Sequence, residues 1–115
     1  MGERELVFCI RLDTMRAMYT VVRSSDFATW LNNLRDNVGK ARILARINAA
    51  ERGNLGDCES VGDGVHEMRV HVGPGYRLYF TQRGPLVIFL LLGGNKSTQH
   101  RDIKRAKAIA RLIEE

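Results

Sequence analysis

The stretch Leu86-Val-Ile-Phe-Leu-Leu-Leu92, with its continuation Gly93-Gly-Asn-Lys-Ser-Thr-Gln-His100, decides how this chain folds. An unbroken apolar run with no alternation describes a central β-strand covered on both faces. Gly93-Gly94 reads as a sharp turn after that strand, and the GxxxxGK spacing of a P-loop is absent. Lys96, two hydroxyl residues and a strongly basic helix follow. A cation and several hydrogen-bond donors thus stand between a strand end and a helix start, where a phosphate is readily held.

Upstream of this strand the apolar period changes twice. Val65 to Val72 and Tyr76 to Thr81 alternate as strands and are joined by Gly73-Pro-Gly75, a β-hairpin signal. Cys58 to Val61 is a weaker strand ending at the turn Gly62-Asp-Gly64. Before them, Phe27, Trp30, Leu31 and Leu34 mark an amphipathic helix behind the cap candidates Ser24, Ser25 and Asp26, ending near Asp36-Asn37. A second helix runs from Val38 to about Arg52 with the stripe Ala41, Leu44, Ala45 and Ile47, and Gly53-Asn-Leu-Gly56 stops it. The link between the helices is so short that they are expected to pack as a hairpin. Tyr19 to Arg23 reads as a short strand. The last helix, from Thr98, turns Ile103, Ala106, Ile109, Ala110 and Ile113 inward and its lysines and arginines outward.

The order β-α-α-β-β-β-β-α predicts a two-layer α+β sandwich, with a largely antiparallel sheet and the helical hairpin on one face. Residues 18–115 form one domain. Met1 to Ala17 has mixed charge and no sustained period, and is expected to be a dispensable extension or the product of an early start codon.

A formal charge of +5 over 115 residues fits an anionic partner. Cys9 and Cys58 make no disulfide framework, and His66, His71 and His100 lack metal-ligand spacing, so neither a metal nor a cofactor is expected. The longest apolar run is too short to span a bilayer, and Leu6 to Ile10 is too short for a signal sequence. A cytoplasmic, reduced protein is the expectation.

The hairpin carries the chemistry. Met68, Val70 and Val72 share a face with Tyr76, Leu78 and Phe80; the other face holds Glu67, Arg69, His71, Arg77, Tyr79 and Thr81. A three-residue loop at 73–75 would set Val72 opposite Tyr76, His71 opposite Arg77, Arg69 opposite Tyr79 and Glu67 opposite Thr81. With Lys96 arriving from the adjoining turn, one sheet face is expected to show a compact cationic patch. Such a patch suits RNA: arginine grips phosphate bidentately, and tyrosine stacks on a base or donates a proton. The plainer alternative is a solvated face whose cross-strand pairs contribute ~0.2–1 kcal/mol each. Trp30 and His66 read as structural, and His100, in the first turn of the last helix, as an acid or base candidate.

Five motifs occur in order: Phe27-Ala-Thr-Trp-Leu31, Gly53-Asn-Leu-Gly-Asp57, Gly64-Val-His-Glu-Met-Arg69, Gly73-Pro-Gly-Tyr-Arg77 and Gly93-Gly-Asn-Lys-Ser-Thr-Gln99. Together they resemble the phage Gp49-like, HigB-type "addiction module killer" proteins of the RelE/ParE toxin superfamily, over roughly Tyr19 to Leu112. The resemblance implies a RelE-like sandwich and a type II toxin that cuts messenger RNA on the ribosome without a metal. It also implies silencing by a HigA-like helix-turn-helix antitoxin, with DNA met only through that partner. Carried onto matching positions, Arg77 would stabilise the transition-state phosphate, Lys96 would hold the scissile or adjacent phosphate, and Arg69 comes next. His71 and Tyr79 complete the expected catalytic set, with Arg46, Lys104, Arg105 and His100 as RNA contacts. Asn95 stands where the family often has Asp. Two other readings accompany this one: a non-enzymatic, ParE-like gyrase inhibitor, and a degenerate toxin acting only as its antitoxin's partner or co-repressor.

Overall fold

In the computed structural model, which describes residues 18–113, the apolar strand is covered on both faces. This strand, β5 (Val87–Asn95), pairs in parallel with β1 (Thr20–Arg23) and antiparallel with β4 (Tyr76–Arg83). Beyond β4 come β3 (Val65–Val70) and β2 (Cys58–Gly62), giving the order β1-β5-β4-β3-β2. Among the described residues three helices complete an α+β fold: α1 (Ser25–Asn33), α2 (Asn37–Glu51) and α3 (Gln99–Leu112), the last entered through a 3-10 turn at Lys96–Thr98. No described helix is long and apolar enough to cross a membrane. Met1 to Ala17, expected to be an extension, lies outside the described residues.

The sheet's two faces are built differently. On one, Phe27 and Leu31 of α1 and Ile43 and Ile47 of α2 pack on Met68, Val70, Tyr76, Leu78, Phe80, Ile88 and Leu90. On the other, Ala106 and Ala110 of α3 approach Val65, Tyr79, Leu91 and Leu92. Small residues let α3 lie close to the strands, so this face is roofed as well. The two-layer expectation is therefore corrected: helices stand on both sides. A bulge makes the second face possible. Tyr79 pairs with Leu92 and Phe80 with Leu90, leaving Leu91 as the extra residue, so adjacent leucines both join the α3 side.

Local chemistry sets the element ends. Ser24 Oγ accepts from Phe27 N (2.9 Å), capping α1, and donates to Leu91 O (2.7 Å), fastening the helix start to β5. Asp36 caps α2 by accepting from Gly39 N at 3.0 Å. The apolar stripe of α2 differs from the expected one. Gly39, Ile43, Ile47 and Ala50 are buried, while Ala41, Leu44 and Ala45 face solvent. Alternating Ala, Leu and Ile around this helix leaves two faces of similar apolarity, and Gly39 decides between them: a Cβ there would come within 2.5 Å of the Tyr76 ring.

Gly93-Gly94 is also not the expected turn, because β5 runs through both glycines to Asn95. A Cβ on Gly93 would lie 2.1 Å from Trp30 Cε3, and one on Gly94 would lie 1.9 Å from Asp102 Oδ2. The pair admits an indole on one face and a carboxylate on the other. That close approach, rather than a bend, requires glycine.

Candidate functional site

The β3–β4 connection differs from the expected hairpin and thereby builds a cleft. Val70, not Val72, pairs with Tyr76, so the loop spans 71–75 and every partner shifts by two: Arg69 faces Arg77, Glu67 faces Tyr79 and Val65 faces Thr81. Val72 leaves the ladder to pack against the α1/α2-side core, and Val72 N donates to Val70 O at 2.9 Å. Gly73 (φ 56°) and Gly75 (φ 82°) take the left-handed conformations that close the loop. Tyr76 Oη donates to Asp36 Oδ2 at 2.7 Å and ties the strand start to the head of α2. Burial, and then the neighbouring Asp36, push the Tyr76 hydroxyl up to about 12.

A cleft of ≈ 630 Å³ opens beside this loop, lined by Arg69, His71, Arg77, Lys96 and Gln99 together with the loop residues 72–75. Its polar groups come from separate segments: Arg69 from β3, His71 from the loop, Arg77 from β4 and Lys96 from the 3-10 turn after β5. The central pair is held by a buried carboxylate. Glu67, 1% exposed, lies between the strands with Oε1 3.3 Å from Arg69 Nε and Oε2 4.0 Å from Arg77 Nε. Its Oε2 also accepts from Gln99 Nε2 (2.6 Å) and from the Tyr79 hydroxyl (3.1 Å). Two guanidiniums directly opposite each other in a ladder repel, and Glu67 offsets that repulsion from underneath.

The three cations differ in how far their charge is spent. Arg69 is saturated, with Glu59, Glu67 and Asp57 (3.7 Å) all around its guanidinium. The Glu59 contact raises its pKa, against the opposing effect of burial. The Arg77 side chain is nine-tenths buried, and its enclosed Nε makes no hydrogen bond with a described residue, Glu67 standing beyond that range at 4.0 Å. Lys96 is exposed and makes no ion pair with a described residue. Asn95 positions it, because Asn95 Oδ1 accepts from Ser97 N (2.9 Å) and from Ser97 Oγ (2.7 Å) while Thr98 Oγ1 receives Asn95 N at 3.2 Å. Thr98 in turn donates to Asp102, the carboxylate seated over Gly94. An amide at position 95 thus serves as the cap of the turn that presents Lys96.

His71 stands on the rim, its Nε2 2.6 Å from Asp57 Oδ2. Tyr79 belongs elsewhere. It is fully buried beneath the cleft, and burial followed by Glu67 pushes its hydroxyl well up, so it is a fixed donor to Glu67 and not a surface group for a base to stack on. The expected open patch is corrected accordingly: Glu67, Tyr79 and Thr81 are covered, and only the end nearest the loop is accessible.

The expected RNA contacts are dispersed. Arg46 is turned inward, donating to Arg69 O and to Leu55 O (3.0 Å), and burial pulls its pKa down. It braces the segment before β2 rather than lining the cleft. Arg105 pairs with Asp26 at 3.3 Å, and Lys104 and His100 are exposed on α3 outside the cleft lining. His66 is buried and stacked on Phe80, with ring centroids 5.3 Å apart. Sequence reasoning passed over Asp57 and Gln99 as functional residues, although both close motifs quoted above. It placed Glu67 on the patch but not beneath the two arginines. Alternation with Arg69 was the available signal.

Fold and cleft together define a small α+β protein with a cationic groove at one end of its sheet. The chain belongs to the family of an uncharacterised protein from Haemophilus influenzae, 46% identical over 87 residues that cover 76% of this chain and 88% of the relative. No family model matches the sequence.

Proposed function

We propose that this protein is the toxin of a type II toxin–antitoxin module, a RelE-like sandwich of the HigB kind that cuts messenger RNA on the ribosome. The observation that carries this reading is the convergence of Arg77 and the exposed Lys96, which makes no ion pair with a described residue, on one cleft of ≈ 630 Å³. Two cations brought to one cleft from separate segments favour a ligand that is anionic and rich in acceptors.

Strand cleavage needs little more than such a site. The 2′-hydroxyl oxygen attacks the neighbouring phosphorus in line, giving up its proton to a base as the new O–P bond forms. The P–O5′ bond breaks and the departing 5′-oxygen takes up a proton, leaving a 2′,3′-cyclic phosphate and a 5′-hydroxyl end. Arg77 and Lys96 stabilise the charge gathering on the nonbridging oxygens. Arg69, its charge already matched by carboxylates, supports Arg77 more than it binds phosphate. His71 is the rim group suited to proton transfer, and no metal or cofactor enters this scheme. The partners on this reading are messenger RNA, the ribosome and a HigA-like helix-turn-helix antitoxin, in the cytoplasm, with no membrane and with DNA only through the antitoxin.

Induced expression followed by mapping of transcript 5′ ends tests the proposal. Growth arrest with new ends inside coding regions is expected. An SOS response and double-strand breaks with whole transcripts would instead identify a gyrase inhibitor. Unchanged growth, with a helix-turn-helix protein co-purifying, would identify a degenerate toxin. Either result overturns the endoribonuclease reading.

A further inference from the structure

At the cleft rim, the loop 71–75 and the segment before β2 are joined by one side-chain contact, His71 Nε2 to Asp57 Oδ2 at 2.6 Å. The Asp57 carboxyl is held below its ordinary range, first by this contact, against burial, and further by the charge of Arg69. An ionised carboxylate only accepts, so Nε2 is the donor and carries the proton. The tautomer follows. In the neutral ring Nδ1 then keeps its lone pair, and it makes no hydrogen bond with a described residue. Asp57 itself is fixed from two directions: its carbonyl accepts from Arg69 N at 2.9 Å, and its Oδ1 lies 3.7 Å from Arg69 Nη1. The pair is solvent-facing, with side chains 69% and 45% exposed, so as an ion pair it adds little to stability. An orienting contact on the edge of an anion cleft has a different use.

We propose that Asp57 is a positioning residue that holds His71 with Nε2 protonated, making Nδ1 the atom that takes the 2′-hydroxyl proton during strand cleavage. The electron pair of the 2′ O–H bond becomes the new O–P bond, and the P–O5′ pair leaves on the 5′-oxygen, which takes its proton from solvent water. Asp57 then faces the imidazolium it has helped to form. A carboxylate behind the ring thus does two things: it selects the tautomer and it stabilises the charged product of proton transfer. Arg69, Arg77 and Lys96, the other charged groups of the cleft, all oppose an imidazolium, which makes a carboxylate at this edge the more consequential. This inference rests on the endoribonuclease reading and adds to it the identity of the base atom.

The test has two arms on the full-length chain. Two-bond proton–nitrogen correlation spectra, at a pH where the ring is neutral, report which nitrogen of His71 is protonated in the parent and in D57N. Cleavage of messenger RNA on programmed ribosomes gives kcat and KM for the parent, D57N and D57E. The expected result is Nε2–H in the parent and a mixture of tautomers in D57N. With it, kcat should fall by about tenfold at unchanged KM in D57N, with most of the rate restored in D57E. Protonation at Nδ1 in the parent overturns the role of Asp57, as does parental kcat in D57N or a change confined to KM, while an active parent leaves the cleavage reading standing. Whole messenger RNA after treatment with the parent overturns that reading, and this role with it, whatever the tautomer.

Discussion

The two faces of the sheet solve burial in opposite ways. Toward α1 and α2 the strands present Met68, Val70, Leu78, Phe80, Ile88 and Leu90, an apolar surface that closes on itself. Toward α3 the same strands present Glu67, Arg77, Thr81 and Tyr79, and α3 answers with two alanines and the buried Asp102. The first face stabilises the fold by removing hydrocarbon from water. The second satisfies most of its buried polar groups, leaving Arg77 Nε at the loop end and Arg83 Nε at the far end of β4 without a hydrogen bond among the described residues. Only the Arg77 end also lines the cleft, and function is to be sought there.

Substitutions on the two faces should therefore separate stability from activity. The largest loss of stability is expected from Phe27→Ala, which empties a fully buried site on the apolar face and should cost about 3–5 kcal/mol in urea unfolding. On the polar face, Glu67→Gln keeps the shape but removes the charge beneath Arg69 and Arg77, and should cost about 1–3 kcal/mol while cleavage falls. If that variant were as stable and as active as the parent, the view of Glu67 as the keystone of the cleft would fail. Arg46→Ala should cost about 1–2 kcal/mol because two backbone carbonyls lose their donor. Exposed Lys96→Ala should stay within about 0.5 kcal/mol of the parent. Weaker RNA binding with intact stability in the Arg46 variant would return that residue to the nucleic-acid surface.

The smallest effect concerns acid. Asp36 and Asp57 both have carboxyl pKa values below the ordinary 3.8, Asp36 chiefly through Gly39 N and then Tyr76, Asp57 chiefly through His71. Depressed values in the folded state mean that their contribution is present above about pH 4 and is lost as pH falls through the folded values. Asp36→Asn should thus flatten the decline of the urea midpoint between about pH 5 and pH 3. A decline as steep as the parent's would remove the cap from the acid response.

What could be read in the sequence follows the same division. The apolar face was legible because period and burial agree in Val65 to Val70, Tyr76 to Phe80 and the run into β5. The hairpin register was not, since Gly73-Pro-Gly75 looks like a complete turn until Val72 is seen to be needed by the core. That shift of two residues is what set Arg69 against Arg77 and brought Glu67 under both. Gly93-Gly94 was misread as a bend for a related reason: sequence displays the lack of a side chain but not the Trp30 ring and Asp102 carboxylate that demand it. Arg69 and Arg77 lie on the strands expected of them and Lys96 in the turn after β5, whereas His71, expected within the strand, lies in the loop. Tyr79 was assigned to an open surface because alternation reveals which face a residue joins and not which helix will roof it.

The most direct test of the account measures messenger RNA cleavage on programmed ribosomes by Arg77→Ala, Lys96→Ala and the double variant, each first shown to be folded. Each single change should lower the rate by about 10²–10³-fold. If both cations meet one phosphate, the double variant should fall short of the product of the two losses, since groups acting on the same atom are coupled. A double variant that cuts at the parental rate would contradict the account outright.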